Sequence, residues 1–119
     1  MKDGRTANAT NLSLGIEHLQ LALEYAGRGR KVFFDEAKRD TLIIVEAELR
    51  KAYESLNRLG PSIWNANSSL PRDRIGEIRR RLTHDYAGID PEEIWRIAST
   101  EARPLLHLLM KVTVREDPD

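Results

Sequence analysis

The chain contains no cysteine. That removes disulfides, thiolate nucleophiles, and zinc or iron–sulfur centres built on sulfur ligands. It also carries no net charge, because nineteen basic side chains balance nineteen acidic ones. The bulk electrostatics of a strongly basic nucleic-acid binder are therefore missing, although a local basic patch remains open. No window has the apolar run needed to cross a bilayer, and the start "MKDGRTANAT" lacks the apolar stretch of an export signal. A cytoplasmic protein with no membrane partner is the expectation. Also missing are a glycine-rich phosphate loop, a serine-nucleophile elbow, strand-like alternation and internal repeats. His18 and His107 have no acidic or histidine neighbours at metal-ligand spacing, so neither a metal nor a cofactor is expected.

What is present is helical periodicity. The 119 residues suit one domain, which at this size buries about two thirds of its unfolded surface. Residues 1–11 read as a flexible lead, 12–113 as a helical domain and 114–119 as a tail. Leu12, Ile16, Leu19, Leu23 and Ala26 recur at spacings of three and four, behind a cap at Thr10 or Asn11, and "GRGRK" ends that helix. Leu42, Val45, Leu49, Ala52, Leu56 and Leu59 define a long second helix, expected from near Asp35 to Gly60-Pro61. Ile43 and Ile44 widen its apolar surface, as extra core or as a contact with another subunit. After the loop "GPSIWNANSS", in which Trp64 should tuck against the bundle, Pro71 opens a third helix with Ile75, Ile78 and Leu82 on its inner face. Gly88 ends it. Asp90, Pro91 and Glu93 then form the cap, first position and third position of a fourth helix, which Pro104 should kink. The fold class expected is all-α, an antiparallel four-helix bundle.

The third helix carries "RRRLTHDY", residues 79–86. Histidine can take and give a proton near neutrality, and arginine can hold a phosphate or the charge that develops on it. His84 and Arg79 could thus cleave RNA without a metal: the histidine assists attack of a ribose 2′-hydroxyl on the adjacent phosphate, and the arginine steadies the pentavalent state. On a regular helix, however, positions 79 and 84 lie about 140° apart, and 84 and 86 about 160° apart. Either the helix loosens near its end or a second subunit completes the cleft. By spacing alone, a solvated helix end is the commoner reading of these residues. Fourteen of the nineteen cations are arginines, a bias that fits phosphate contacts and solvated surface alike.

The stretch "RRRLTHDYAGIDPEEIW" resembles the signature of the HepT-like toxins of the HEPN superfamily, which occur in prokaryotes with small nucleotidyltransferase antitoxins of the MntA type. That signature is Arg, four residues, His, one residue and Tyr, then a Gly-Ile/Val-Asp turn and an aliphatic-Trp pair. Arg79, His84 and Tyr86 fall on its functional positions, and Gly88, Ile89, Asp90, Ile94 and Trp95 on the others. Arg39-Asp40 ahead of "LIIVEA" and Leu70-Pro71 before the third helix also match, so the likeness spans about residues 12–113. The resemblance implies a homodimer with a composite cleft, metal-independent ribonuclease toxicity through Arg79 and His84, and neutralisation by AMP transfer to Tyr86.

The chain also departs from that pattern. Arg80 stands where Asn or Asp is usual, Arg72 where Trp is frequent, Val45 in place of Gly, and Glu77 where a small residue is common. Arg72, Arg80 and Arg81 could add phosphate contacts, making RNA binding stronger and more salt-dependent. Two functional expectations result: a ribonuclease toxin, or a catalytically inactive HEPN-like subunit that binds a nucleotidyltransferase.

Overall fold

The computed structural model describes residues 4–84 and 88–114, with side chains from Ala7 onward. It is helical, and no strand occurs among the described residues. Four rods make the bundle: α1 (Gly4–Ala26), α3 (Asp40–Asn57), α5 (Arg72–His84), and a composite of α6 (Pro91–Arg96), a π turn (Ile97–Glu101) and α7 (Ala102–Leu109). Two short helices, α2 (Arg30–Phe33) and α4 (Pro61–Ala66), lie in the connections. The central rod is α3, with α1 along one side and α5 along another, and α7 packs on α1.

Side-chain pairings show the directions of the rods. Arg28 meets Thr41 and His18 meets Glu48, so α1 descends while α3 rises. In the same way Arg74 meets Glu101 and Arg81 meets Glu93, so α5 is antiparallel to the fourth rod. The core lies where the apolar stripes converge: Leu19 and Ala22, Val45, Leu49 and Leu56, Ile75 and Ile78, and Ile94, Ile97 and Leu109 are all buried. The expected inner faces of α3 and α5 are buried at every position, whereas Ile16 and Leu23 of α1 are only partly covered.

Helix ends differ from the periodicity. α1 starts at Gly4, ahead of the expected cap at Thr10 or Asn11. Buried Asn8 anchors this extra turn, its side-chain oxygen accepting from the Gly60 amide at 2.8 Å. α3 starts at Asp40 rather than near Asp35, because the Asp35 carboxylate accepts the Ala37 amide and so stabilises a turn in place of a helix. It ends at Asn57, after which Arg58 and Leu59 donate to the carbonyls three residues back. The loop at 60–69 contains α4, begun by Pro61, and Trp64 is buried there with its indole N–H on the Leu59 carbonyl at 2.8 Å. Pro104 does not break the fourth rod. The backbone widens into the π turn one turn earlier, which takes up the step imposed by a residue with no N–H for the Thr100 carbonyl. Ile43 is 62% exposed, so the extra-core expectation fails for it within one chain.

Candidate functional site

α5 is amphipathic in a way that fixes where each arginine goes. Ile75, Ile78 and Leu82 turn inward, and Arg74 and Arg81 fall on the flank beside the fourth rod. Both are neutralised there. Arg74 Nε and Nη2 donate to the two Glu101 oxygens at 2.7 Å each, and Nη1 donates to Glu77 at 2.7 Å. Arg81 donates to Glu93, which also lies 3.7 Å from Arg96. The opposite flank is different. Among the described residues no carboxylate forms an ion pair with Arg72, Arg79 or Arg80.

Arg79 is half-buried and His84 exposed, the latter as the last residue of α5. The helix stays regular up to that point. Thr83 Oγ1 donates to the Arg79 carbonyl one turn back at 2.7 Å, a side-chain bond added to the helix ladder. Loosening before His84 is therefore not how the two side chains could meet, and one chain keeps them about 140° apart. Tyr86, the expected modification site, lies outside the described residues.

The downstream part of the signature is structural. Gly88 has a φ of 90°, a left-handed conformation that glycine adopts without penalty. Asp90 caps α6, its carboxylate accepting from the Glu92 amide at 3.0 Å. Glu93 does not reach back to that cap; its carboxylate goes to Arg81 instead, a partner that spacing alone could not reveal. Ile94 is buried, and Trp95 stacks near Phe33 and Phe34 at 5.2 and 6.2 Å between ring centres. Arg30 lies over the Phe34 ring at 4.4 Å while pairing with Glu92, so α2 is fastened to α6 through both apolar and ionic contacts.

Further along, Tyr53 is buried near the Arg74–Glu101 pair. Burial first, and then the negative charge of Glu101, push its phenol well above the ordinary tyrosine range. The hydrogen bonds from Arg74 hold the Glu101 carboxyl below its usual value and raise the guanidinium in return. The signal for this cluster was in the sequence only as an acid and a base on separate helices.

Two clefts lie away from α5. One of about 340 Å³ is lined by Phe33, Phe34, Asp35, Glu36, Arg39 and Pro91 among others, and one of about 490 Å³ includes Asp90, Glu93, Trp95 and Thr100. Neither includes Arg79 or His84. No group of three or more His, Asp or Glu side chains suited to a metal ion occurs among the described residues, and no helix there is long and apolar enough to cross a membrane.

A family model described as HepT-like, ribonuclease HepT-like, matches residues 16–112. This range takes in α5 and the whole fourth rod. No curated protein and no solved structure gives a significant match.

Proposed function

The chain belongs to the HepT-like ribonuclease family, and from that premise we propose that it is a metal-independent ribonuclease toxin acting as a homodimer. The observation that carries this reading is the pairing, on one helix of a family ribonuclease, of an exposed imidazole with a guanidinium that no described carboxylate neutralises. His84 takes the proton of a ribose 2′-hydroxyl, and that oxygen attacks the neighbouring phosphorus. Arg79 balances the charge on the phosphoryl oxygens as the bond to the 5′-oxygen breaks. The leaving oxygen picks up a proton, and the products are a cyclic 2′,3′-phosphate and a 5′-hydroxyl end.

The angular separation of Arg79 and His84 supports a two-chain cleft, in which one chain supplies the guanidinium and its partner the imidazole. Ile43 on α3 is exposed in one chain and would be covered in such a contact. Tyr86, two residues beyond His84, is the acceptor for AMP from a nucleotidyltransferase antitoxin of the MntA type. Added phosphate would pair with Arg72, Arg79 and Arg80, with which no described carboxylate forms an ion pair, and exclude RNA.

Purified protein should cut RNA in the presence of EDTA and leave cyclic phosphate ends, and His84→Ala should abolish the cutting. Activity that needs a divalent ion, or that survives His84→Ala, overturns the mechanism. Incubation with the antitoxin and ATP should add the mass of one AMP to Tyr86; an active antitoxin that leaves the tyrosine unmodified rejects that part alone.

A further inference from the structure

His84, Arg80, Gly76 and Arg72 are four residues apart, and residues so spaced form a ridge that drifts only about 40° around a helix at each step. Arg72, Arg80 and His84 are exposed along it, and Gly76 is half-buried. From Arg72 to His84 the ridge runs about 18 Å. Asp73 and Glu77 border it on one side, and Arg79 and Thr83 on the other. The two arginines on the ridge are without ion-pair partners among the described residues, while the two on the flank facing the fourth rod are both neutralised by glutamates.

Gly76 is the position the fold does not account for. A Cβ there would meet only Asn57 Oδ1 at 3.5 Å and Arg80 Nη1 at 3.8 Å, which is ordinary contact. Its φ is not positive. Glycine inside a helix weakens it relative to alanine, so packing and backbone geometry both leave this residue without an internal reason. What glycine does supply is a low point on the ridge, against which the Arg80 guanidinium folds back with Nη1 3.8 Å from the Cβ position. At the far end, the Arg72 guanidinium carbon sits 5.4 Å from the centre of the Trp64 ring, a contact that holds the charge in place on a buried, hydrogen-bonded indole.

We infer that this ridge is the track on which single-stranded RNA lies, with the scissile phosphate at His84, the next phosphate along it on the Arg80 guanidinium beside Gly76, and a further phosphate on Arg72. The inference rests on the ribonuclease reading and adds the path of the substrate. Guanidinium groups bind phosphate through paired hydrogen bonds, and a track of this length takes a few nucleotides.

The test uses the full chain carrying His84→Ala, titrated by fluorescence anisotropy with a labelled oligouridylate of about a dozen nucleotides. Arg72→Ala and Arg80→Ala should each weaken binding about tenfold, and each should reduce the log–log salt slope by about 0.7. Gly76→Leu, which raises a side chain on the track, should weaken binding by a similar factor. Arg103→Ala, on α7, should leave affinity within about twofold; the exposed arginine variants carry the test should Gly76→Leu disturb folding. The inference is overturned if the Arg72→Ala, Arg80→Ala double variant binds like its parent with the same slope, or if the parent fails to bind at low salt. Cleavage by the unaltered chain is followed in parallel. Cutting that ignores both arginines discards the track and keeps the ribonuclease; binding along the track without cutting does the reverse.

Discussion

Arg74 on α5 grips Glu101 of the π turn with two parallel hydrogen bonds of 2.7 Å. The π turn brings Glu101 to this position, so the local widening before Pro104 also ties the third rod to the fourth. Both side chains are partly covered, and such a two-pronged pair exceeds an ordinary surface ion pair. Arg74→Ala should destabilise the fold by about 1–2 kcal/mol in urea unfolding at neutral pH. The pH dependence follows from Glu101, whose carboxyl is held below its usual value when folded. A depressed carboxyl contributes stability that is present above the unfolded value, about 4.3, and is lost as pH falls through the folded value. Wild type should therefore lose stability below about pH 4.3, and Glu101→Gln should be less stable at pH 7 while showing a shallower acid decline. An unchanged acid slope in Glu101→Gln would remove this pair from the account.

Gly15 and Gly76 make opposite predictions although both are helical glycines. At Gly15 a Cβ would stand 2.7 Å from Leu56 Cγ and still closer to its Cδ2, because α1 and α3 touch there. Gly15→Ala should overpack the interface and destabilise by about 1–3 kcal/mol. Gly76→Ala, with room around it, should stabilise by about 0.5–1 kcal/mol. Melting temperatures of the two variants read this directly, and a loss at Gly76 would mean that the fold itself needs the glycine.

Periodicity revealed most of the bundle, since Leu42, Val45, Leu49, Ala52 and Leu56 are all buried as their spacing predicts. It misplaced ends wherever a side chain competed with the backbone or reached a distant partner. Asp35 stabilises a turn before α3, and Asn8 anchors a turn of α1 through a residue more than fifty positions away. Local spacing also suggested a capping role for Glu93, which the structure instead pairs with Arg81 across two helices. The signature residues were legible as chemistry, yet their angular separation on α5 could be judged only once the helix was seen to stay regular to His84.

That Arg81–Glu93 pair brackets the segment containing His84. Two roles for Arg81 can then be separated. If it positions the end of α5, Arg81→Ala and Glu93→Gln should each lower kcat by a similar factor, about threefold to tenfold, with little additional loss in the double variant. KM and its salt dependence should hardly change. If Arg81 instead binds RNA, Arg81→Ala should raise KM and flatten the salt slope, whereas Glu93→Gln should improve binding by freeing the guanidinium. Steady-state cleavage at several salt concentrations distinguishes the two patterns.

The regular geometry of α5 gives the sharpest test of a composite cleft. Arg79→Ala and His84→Ala chains should each be folded, since neither residue is part of the core, and loss of the base alone should lower cleavage about 10²–10⁴-fold. Mixed in equal amounts and allowed to exchange, they form heterodimers in half of the population. In each heterodimer one cleft combines the intact Arg79 of one chain with the intact His84 of the other, and the second cleft lacks both. Activity should return to about a quarter of the wild-type level, because half of the dimers carry one working cleft of two. If both residues acted within a single chain, every cleft in the mixture would lack one of them and no activity would return. Recovery that grows with the rate of subunit exchange therefore assigns the guanidinium and the imidazole of each cleft to different chains, and its absence after complete exchange rejects that assignment.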